Sequence, residues 1–284
     1  MRRRKGVVRI ATCQFPVSAD IRRNAQLISR QIDEAADAGA DIVHLPECAL
    51  CGYPSVDFST WDGFDWNALL EASHWIASLA AKRRVWVVFG SSHRLTGRHM
   101  PHNSLYVINP NGLIACRYDK RFCTPGDLMF FSPGDHFTTF DLNGVRFGLL
   151  ICHDLRYPEL YREYLKLGTN CILQSFYNAR EKGPGPSSYI MRPTLQCHAA
   201  SNYFWLSANN ASAYYQRWPS VFILPDGKIH ASLRIHRAGV MVNEIDLSKK
   251  YYDASRHFRS LAVRGILNTG KLVKDRRSAV DQKF

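Results

Sequence analysis

The chain has 284 residues, 46% hydrophobic and 21% charged, the balance of an ordinary globular protein. No apolar run approaches the roughly 20 residues that cross a bilayer, and the basic start from Met1 to Ile10 lacks the apolar stretch of a secretory signal. The formal net charge is +13, of which residues 1–30 supply +7 and residues 264–284 supply +4. An excess held at the ends, with no nucleic-acid reading module, points to solvated termini and to no nucleic-acid or membrane partner.

The expectation is a cytoplasmic protein whose eight cysteines are thiols. Cys48 and Cys51 have C-x-x-C spacing, but no second pair completes a zinc site. Gly52-Tyr-Pro54 then breaks the helix that a redox pair would begin. The cysteine spacing therefore points to neither a metal nor a redox site.

Val7 to Gln14 reads as a strand. Asp20 can cap a helix that runs to about Gly39, with Ile21, Ala25, Ile28, Ile32 and Ala35 on one face. Asp41 to Leu45 is a second strand and leads directly into Pro46-Glu47. A looser aromatic segment follows, then a helix from Asn67 to about Lys82. Strands are expected at Arg84–Ser91 and Asn103–Asn109, with a turn at Asn109-Pro-Asn-Gly112 and a partner strand from Leu113 to Asp119. Lys120 stands at that strand's end.

His136–Leu142 and Val145–Ile151 pair across Asn143-Gly144, a favoured hairpin turn. A helix near 157–167, a strand at Cys171–Ser175, a helix from Ser187 to about Ser201 and a strand at Tyr203–Ala208 come next. A hairpin then turns at Pro225-Asp-Gly227, and Val240–Ile245 is the last strand. No structure is assigned after Lys249. The two halves repeat one order of elements, which implies an α/β fold: a four-layer αββα sandwich of two mixed sheets with helices outside. It is read as a single domain, with a core of about 7–245 and a basic tail of about 250–284 that can embrace a partner subunit.

Cys152 ends an apolar strand and precedes a helix, so it sits on a sharp turn where a side chain is lifted out and backbone N–H groups point outward. It is either a nucleophile or one more buried small apolar residue. A thiol nucleophile needs a base and a nearby cation. Glu47 and Lys120, both at strand ends, are residues of those types. His153, adjacent to Cys152, keeps a Cys–His dyad open.

His44-Leu-Pro-Glu47 with Gly52-Tyr-Pro54, Tyr118-Asp-Lys120-Arg-Phe122, and Gly148-Leu-Leu-Ile-Cys152-His-Asp-Leu-Arg-Tyr-Pro-Glu159 resemble the nitrilase superfamily of carbon–nitrogen hydrolases. The resemblance runs from about Val7 to Ile245. It implies the αββα fold, homodimers or larger homo-oligomers, and no metal or organic cofactor. It also implies Glu47 as general base and acid, Lys120 as oxyanion-stabilising cation, Cys152 as nucleophile and the backbone N–H of His153 as an oxyanion donor. Many members carry a further Glu before the loop ahead of the nucleophile hairpin. Asp127 stands at that place, one methylene shorter, so either its loop comes closer or the contact is lost.

The residues after Cys152 are more similar to the ω-amidase-like branch than to nitrilases proper, which usually follow the Cys with Trp-Glu. The implied substrate is a small amide, with an N-carbamoyl compound or a nitrile as alternatives. An inactive binding subunit of the same fold is the reading from another class. Arg156 either holds a substrate carboxylate or pairs with Asp154 or Glu159. Tyr53, Tyr177 and Asn178 are candidates for the pocket wall. Ser212 to Trp218 is open between pocket and subunit contact.

Overall fold

In a computed structural model, which describes residues 4–178, 182, 183 and 185–278, the first half of the chain builds one sheet. Its strands are β1 (Val7–Gln14), β2 (Ile42–His44), β3 (Trp86–His93), β4 (His102–Ile108) and β5 (Ile114–Asp119). The second sheet holds β6 (Thr139–Leu142), β7 (Val145–Ile151), β8 (Cys171–Ser175), β9 (Trp205–Asn209), β10 (Val221–Ile223) and β11 (Ile229–Ser232). The last strand, β12 (Gly239–Asp246), crosses back and runs antiparallel to β1, from Val7 against Asp246 to Gln14 against Gly239. The sheets are therefore ordered β12-β1-β2-β3-β4-β5 and β11-β10-β9-β8-β7-β6, and both mix parallel with antiparallel pairs.

Helices α1 (Ile21–Asp37) and α2 (Trp66–Arg83) pack on the first sheet, and α3 (Pro158–Lys166) and α4 (Ser187–Asn202) on the second. Asp20 caps α1 by accepting the Arg23 N–H at 3.0 Å, and Asp65 caps α2 by accepting from Ala68 N. Alternation along β1 sends Val8 and Ile10 into the core between the sheets, and Ala11 and Cys13 toward α1. This is the αββα sandwich expected from the sequence.

Four details differ. β6 begins at Thr139 and not at His136. Arg84 and Tyr203 are left-handed helix caps, φ +56° and +60°, and not the starts of β3 and β9. A 3-10 turn over Cys152–Arg156 precedes α3. Residues 253–278 form a unit of their own with a short helix, α5 (Arg259–Val263). Five residues are too few to show a helical period.

A polar seam runs through the apolar layer between the sheets. Thr12, His44, Ser175 and Ser207 are fully buried. Ser175 Oγ donates to Leu45 O at 2.9 Å, so it accepts the Nε2–H of His44, also at 2.9 Å. His44 Nδ1 then accepts from Ser207 Oγ, which in turn accepts from Thr12 Oγ1. The proton order is fixed throughout, and the imidazole is neutral. β2 of one sheet is thus tied to β8 and β9 of the other, three residues before Glu47.

Candidate active site

Glu47 is carried on the turn that follows β2. That turn crosses β3 at Gly90, where the Gly90 N–H donates to Pro46 O and the Leu50 N–H donates to Gly90 O. A Cβ on Gly90 would lie 2.3 Å from Pro46 O and 2.5 Å from Cys48 N, so only glycine permits the crossing. The Glu47 carboxylate is wholly buried. Oε1 accepts from Lys120 Nζ at 3.0 Å and from Asn103 Nδ2 at 2.8 Å. Oε2 accepts the backbone N–H of Tyr177, at the end of β8, at 2.8 Å.

Lys120, just past β5, is buried and also donates to Asp127 Oδ2 at 2.8 Å. Two of its three N–H bonds are thereby used and one is left. Asp127 compensates for its shorter side chain by the path of its loop. Its carboxylate accepts Lys120, the Thr124 N–H and the Tyr53 hydroxyl. Tyr53 stacks on Tyr177, ring centroids 5.1 Å apart, so one wall of the site links all four residues.

Cys152 opens the 3-10 turn after β7 with φ +41°, a left-handed conformation costly for a residue with a Cβ. Its thiol lies close enough to Glu47 and Lys120 to feel both charges. Burial pushes the thiol well above its ordinary range; the Glu47 charge adds to this and Lys120 opposes it. Glu47 is also raised, by burial first, against the pull of Lys120, and Asp127 raises it further. Burial works against the Lys120 ammonium, but the surrounding acids outweigh it and hold Lys120 well above the usual lysine range. Burial raises Asp127 too, yet Lys120 prevails and Asp127 lies below the usual carboxylate range. The resting set is a thiol, an ammonium and two carboxylates.

Asp154 fastens the nucleophile turn to the other sheet. Its buried carboxylate accepts the N–H groups of Ile151 and Phe122, both at 2.9 Å, and the Tyr118 hydroxyl at 2.8 Å. Arg156 therefore has no pair with Asp154, and among the described residues it has none with Glu159. It is exposed at the mouth of a cavity of about 280 Å³ that Cys152, Lys120, Tyr53, Tyr177 and Asn178 also line. The His153 imidazole meets the Tyr157 ring and hydroxyl, so its side chain is not aligned on the thiol. Asn178 joins Gln216 and Asn210 through hydrogen bonds of 2.7 Å.

The aromatic segment splits: Tyr53 faces the cavity, while Phe58, Trp61, Phe64 and Trp66 stack on one another. Trp218 is buried against Phe176, whereas Tyr214 and Tyr215 are exposed. Asn103 had no local signal in the sequence, and His44 and Asp154, though they stand in the motifs, had none for these contacts, because each is defined by partners on distant strands.

This arrangement holds an acid–base group beside a thiol, with an ammonium that has one donor to spare. The carbon-nitrogen hydrolase family model matches residues 9–251. The chain belongs to the carbon-nitrogen hydrolase family. This carbon-nitrogen hydrolase is 28% identical to human omega-amidase NIT2 over 255 residues, 85% of this chain and 89% of that protein. It is 27% identical to nitrilase homolog 2 of Dictyostelium discoideum over 263 residues, 85% and 76% of the two chains. An amidase from Nesterenkonia sp. has the same fold, with TM-score 0.77 at 20% identity over 94% of this chain and 98% of the other. A mutant of that amidase shows covalent addition of the acetamide moiety of fluoroacetamide at its active-site cysteine.

Proposed function

We propose that this hydrolase cleaves the carbon–nitrogen bond of a small amide through a Cys152 acyl-enzyme. The observation that carries the reading is the buried Glu47 carboxylate bonded to Lys120, which lines one cavity with Cys152. Glu47 takes the thiol proton as sulfur attacks the amide carbonyl. The oxyanion is held by the remaining Lys120 N–H and the backbone N–H of His153. Glu47 returns the proton to the nitrogen, ammonia leaves and a thioester remains. Glu47 then deprotonates a water, hydroxide attacks the thioester, and the acid departs as Cys152 recovers its proton from Glu47. Asp127 keeps Lys120 in place, and Tyr53, Tyr177 and Asn178 form the wall around the substrate.

Arg156, at the cavity mouth and with no ion pair among the described residues, supports a substrate with a carboxylate at its far end. The deciding experiment is a panel of neutral amides, monoamides of dicarboxylic acids, N-carbamoyl amino acids and nitriles. Ammonia, carbon dioxide and nitrile consumption are followed in wild type, Cys152→Ala and Arg156→Ala. We expect ammonia from amides alone, no turnover in Cys152→Ala, and in Arg156→Ala a loss confined to carboxylated amides. Near-normal turnover in Cys152→Ala overturns the mechanism, and equal losses on neutral and carboxylated amides overturn the role of Arg156.

A homo-oligomer in the cytoplasm belongs to the same reading. All eight cysteines are free, as a reducing compartment keeps them. Within residues 253–278, Leu267, Leu272 and Val273 are exposed apolar residues, suited to lie on a partner subunit.

A further inference from the structure

The outer face of the first sheet carries a second cavity of about 920 Å³, which shares no lining residue with the catalytic one. Its floor is β3, β4 and β5, α2 forms one wall, and the β4–β5 turn closes one end. Ala77, Ile108, Leu113 and Ile114 make that end apolar, while Ser91, His93, Arg94 and Arg117 gather toward the other. No Asp or Glu lines it.

The polar end has donors to spare. Arg117 grips Asp119 with bonds of 2.9 and 3.0 Å, and its third nitrogen lies 2.9 Å from His93 Nε2. A guanidinium only donates, so His93 Nε2 accepts, the imidazole is neutral, and its proton is on Nδ1. Nδ1–H then donates to the Tyr106 hydroxyl at 2.7 Å. Tyr106 is left with a hydroxyl hydrogen that no acceptor takes among the described residues. Ser91 is 1% exposed, and its hydroxyl has no partner among the described residues. Arg94 lies over the Trp66 ring and pairs with no carboxylate among them. Two hydroxyls and a cation thus line one cavity with no acceptor among the described residues, beside an apolar trough. An unsatisfied buried hydroxyl is costly, and an anion would satisfy it.

We propose that this groove is a binding site for an amphipathic organic carboxylate. The head is held by Arg94, Ser91 and Tyr106, and the apolar body lies along Ala77, Ile108 and Leu113. The cavity volume is in the range of small-molecule sites. The wall residues Leu70 and Ile114 are 56% and 63% exposed, so substitutions there leave the fold intact.

Calorimetric titration of the full chain with octanoate and with 1-octanol tests this. Octanoate should bind more tightly by about tenfold, the worth of one charged hydrogen bond. Arg94→Gln should erase that difference and leave 1-octanol unchanged. Leu70→Glu and Ile114→Glu should weaken both probes, with unchanged circular dichroism. The proposal is overturned if octanoate fails to bind or shows no advantage over 1-octanol. It is equally overturned if octanoate binding is lost in Arg156→Ala but kept in Arg94→Gln, which would put the probe in the catalytic cavity. That last arm also separates this site from the proposed amidase reaction.

Discussion

At Cys152 the decisive quantity is charge. Lys120 already faces two carboxylates, Glu47 and Asp127. A thiolate would add a third negative group to one buried ammonium, and burial with the Glu47 charge instead keeps the proton on sulfur. The proton must therefore leave during attack, which gives Glu47 its work as a base. Protonating Glu47 stops the reaction, so kcat/KM should fall on the acid side as pH drops through its raised pKa. Asp127 contributes to that elevation. Asp127→Asn removes a negative neighbour, so the Glu47 pKa should fall and the acid limb should move to lower pH. The plateau should also drop by roughly ten- to a hundredfold, since Lys120 loses a charged hydrogen bond. A pH–rate profile of the variant checks both. An acid limb that stays in place or moves up would show that Glu47 is not the group being titrated.

The elements matter chiefly through where their ends fall. β5 and β7 each deliver one reactive side chain directly after the last strand residue, and β2 delivers Glu47 three residues on, by a turn that crosses Gly90. Gly90→Ala should leave the far sheet intact but push the 46–48 backbone off its path. A displacement near 1 Å in a catalytic group costs on the order of a hundredfold in rate. We expect a folded variant with kcat reduced by about that factor; an unchanged kcat would mean the crossing has slack. Much of this level was legible in the sequence. Branched apolar runs marked the strands, and Glu47, Lys120 and Cys152 stood in recognisable motifs at their ends. The rest was hidden for a physical reason. β12 pairs with β1 more than 200 residues away in sequence, and nothing local to Val240–Ile245 names that partner. Asp127 looked one methylene too short because its loop's approach is set by Thr124 and Tyr53, which are contacts and not composition. Asp154 stood in the sequence as a possible ion-pair partner for Arg156, yet all three of its hydrogen bonds serve to hold the nucleophile turn.

On the scale of the molecule, the site is a joint between two sheets: Glu47 and Lys120 come from one, Cys152 and the Tyr177 N–H from the other. Whatever keeps the sheets together keeps the chemistry together, and His44 is the polar group at the centre of that contact. Its burial lowers its pKa from the ordinary 6.5 to about 3. The unfolded chain binds a proton at His44 below about pH 6.5, while the folded chain refuses it down to about 3. The stability that neutral His44 supports is thus fully present above pH 6.5 and drains away as pH falls through that window. The slope is on the order of 1 kcal/mol per pH unit. His44→Gln keeps a donor and an acceptor but cannot titrate. It should lose about 1–3 kcal/mol at pH 7 through imperfect bonds to Ser175 and Ser207. Between pH 6.5 and 5 its urea midpoint should then fall less steeply than that of wild type, so that the two curves approach each other. Parallel curves would mean that His44 also carries a proton in the folded protein over this range, with Nδ1 donating to Ser207 and Ser207 to Thr12, while the bonds from Nε2 through Ser175 to the Leu45 carbonyl keep their direction.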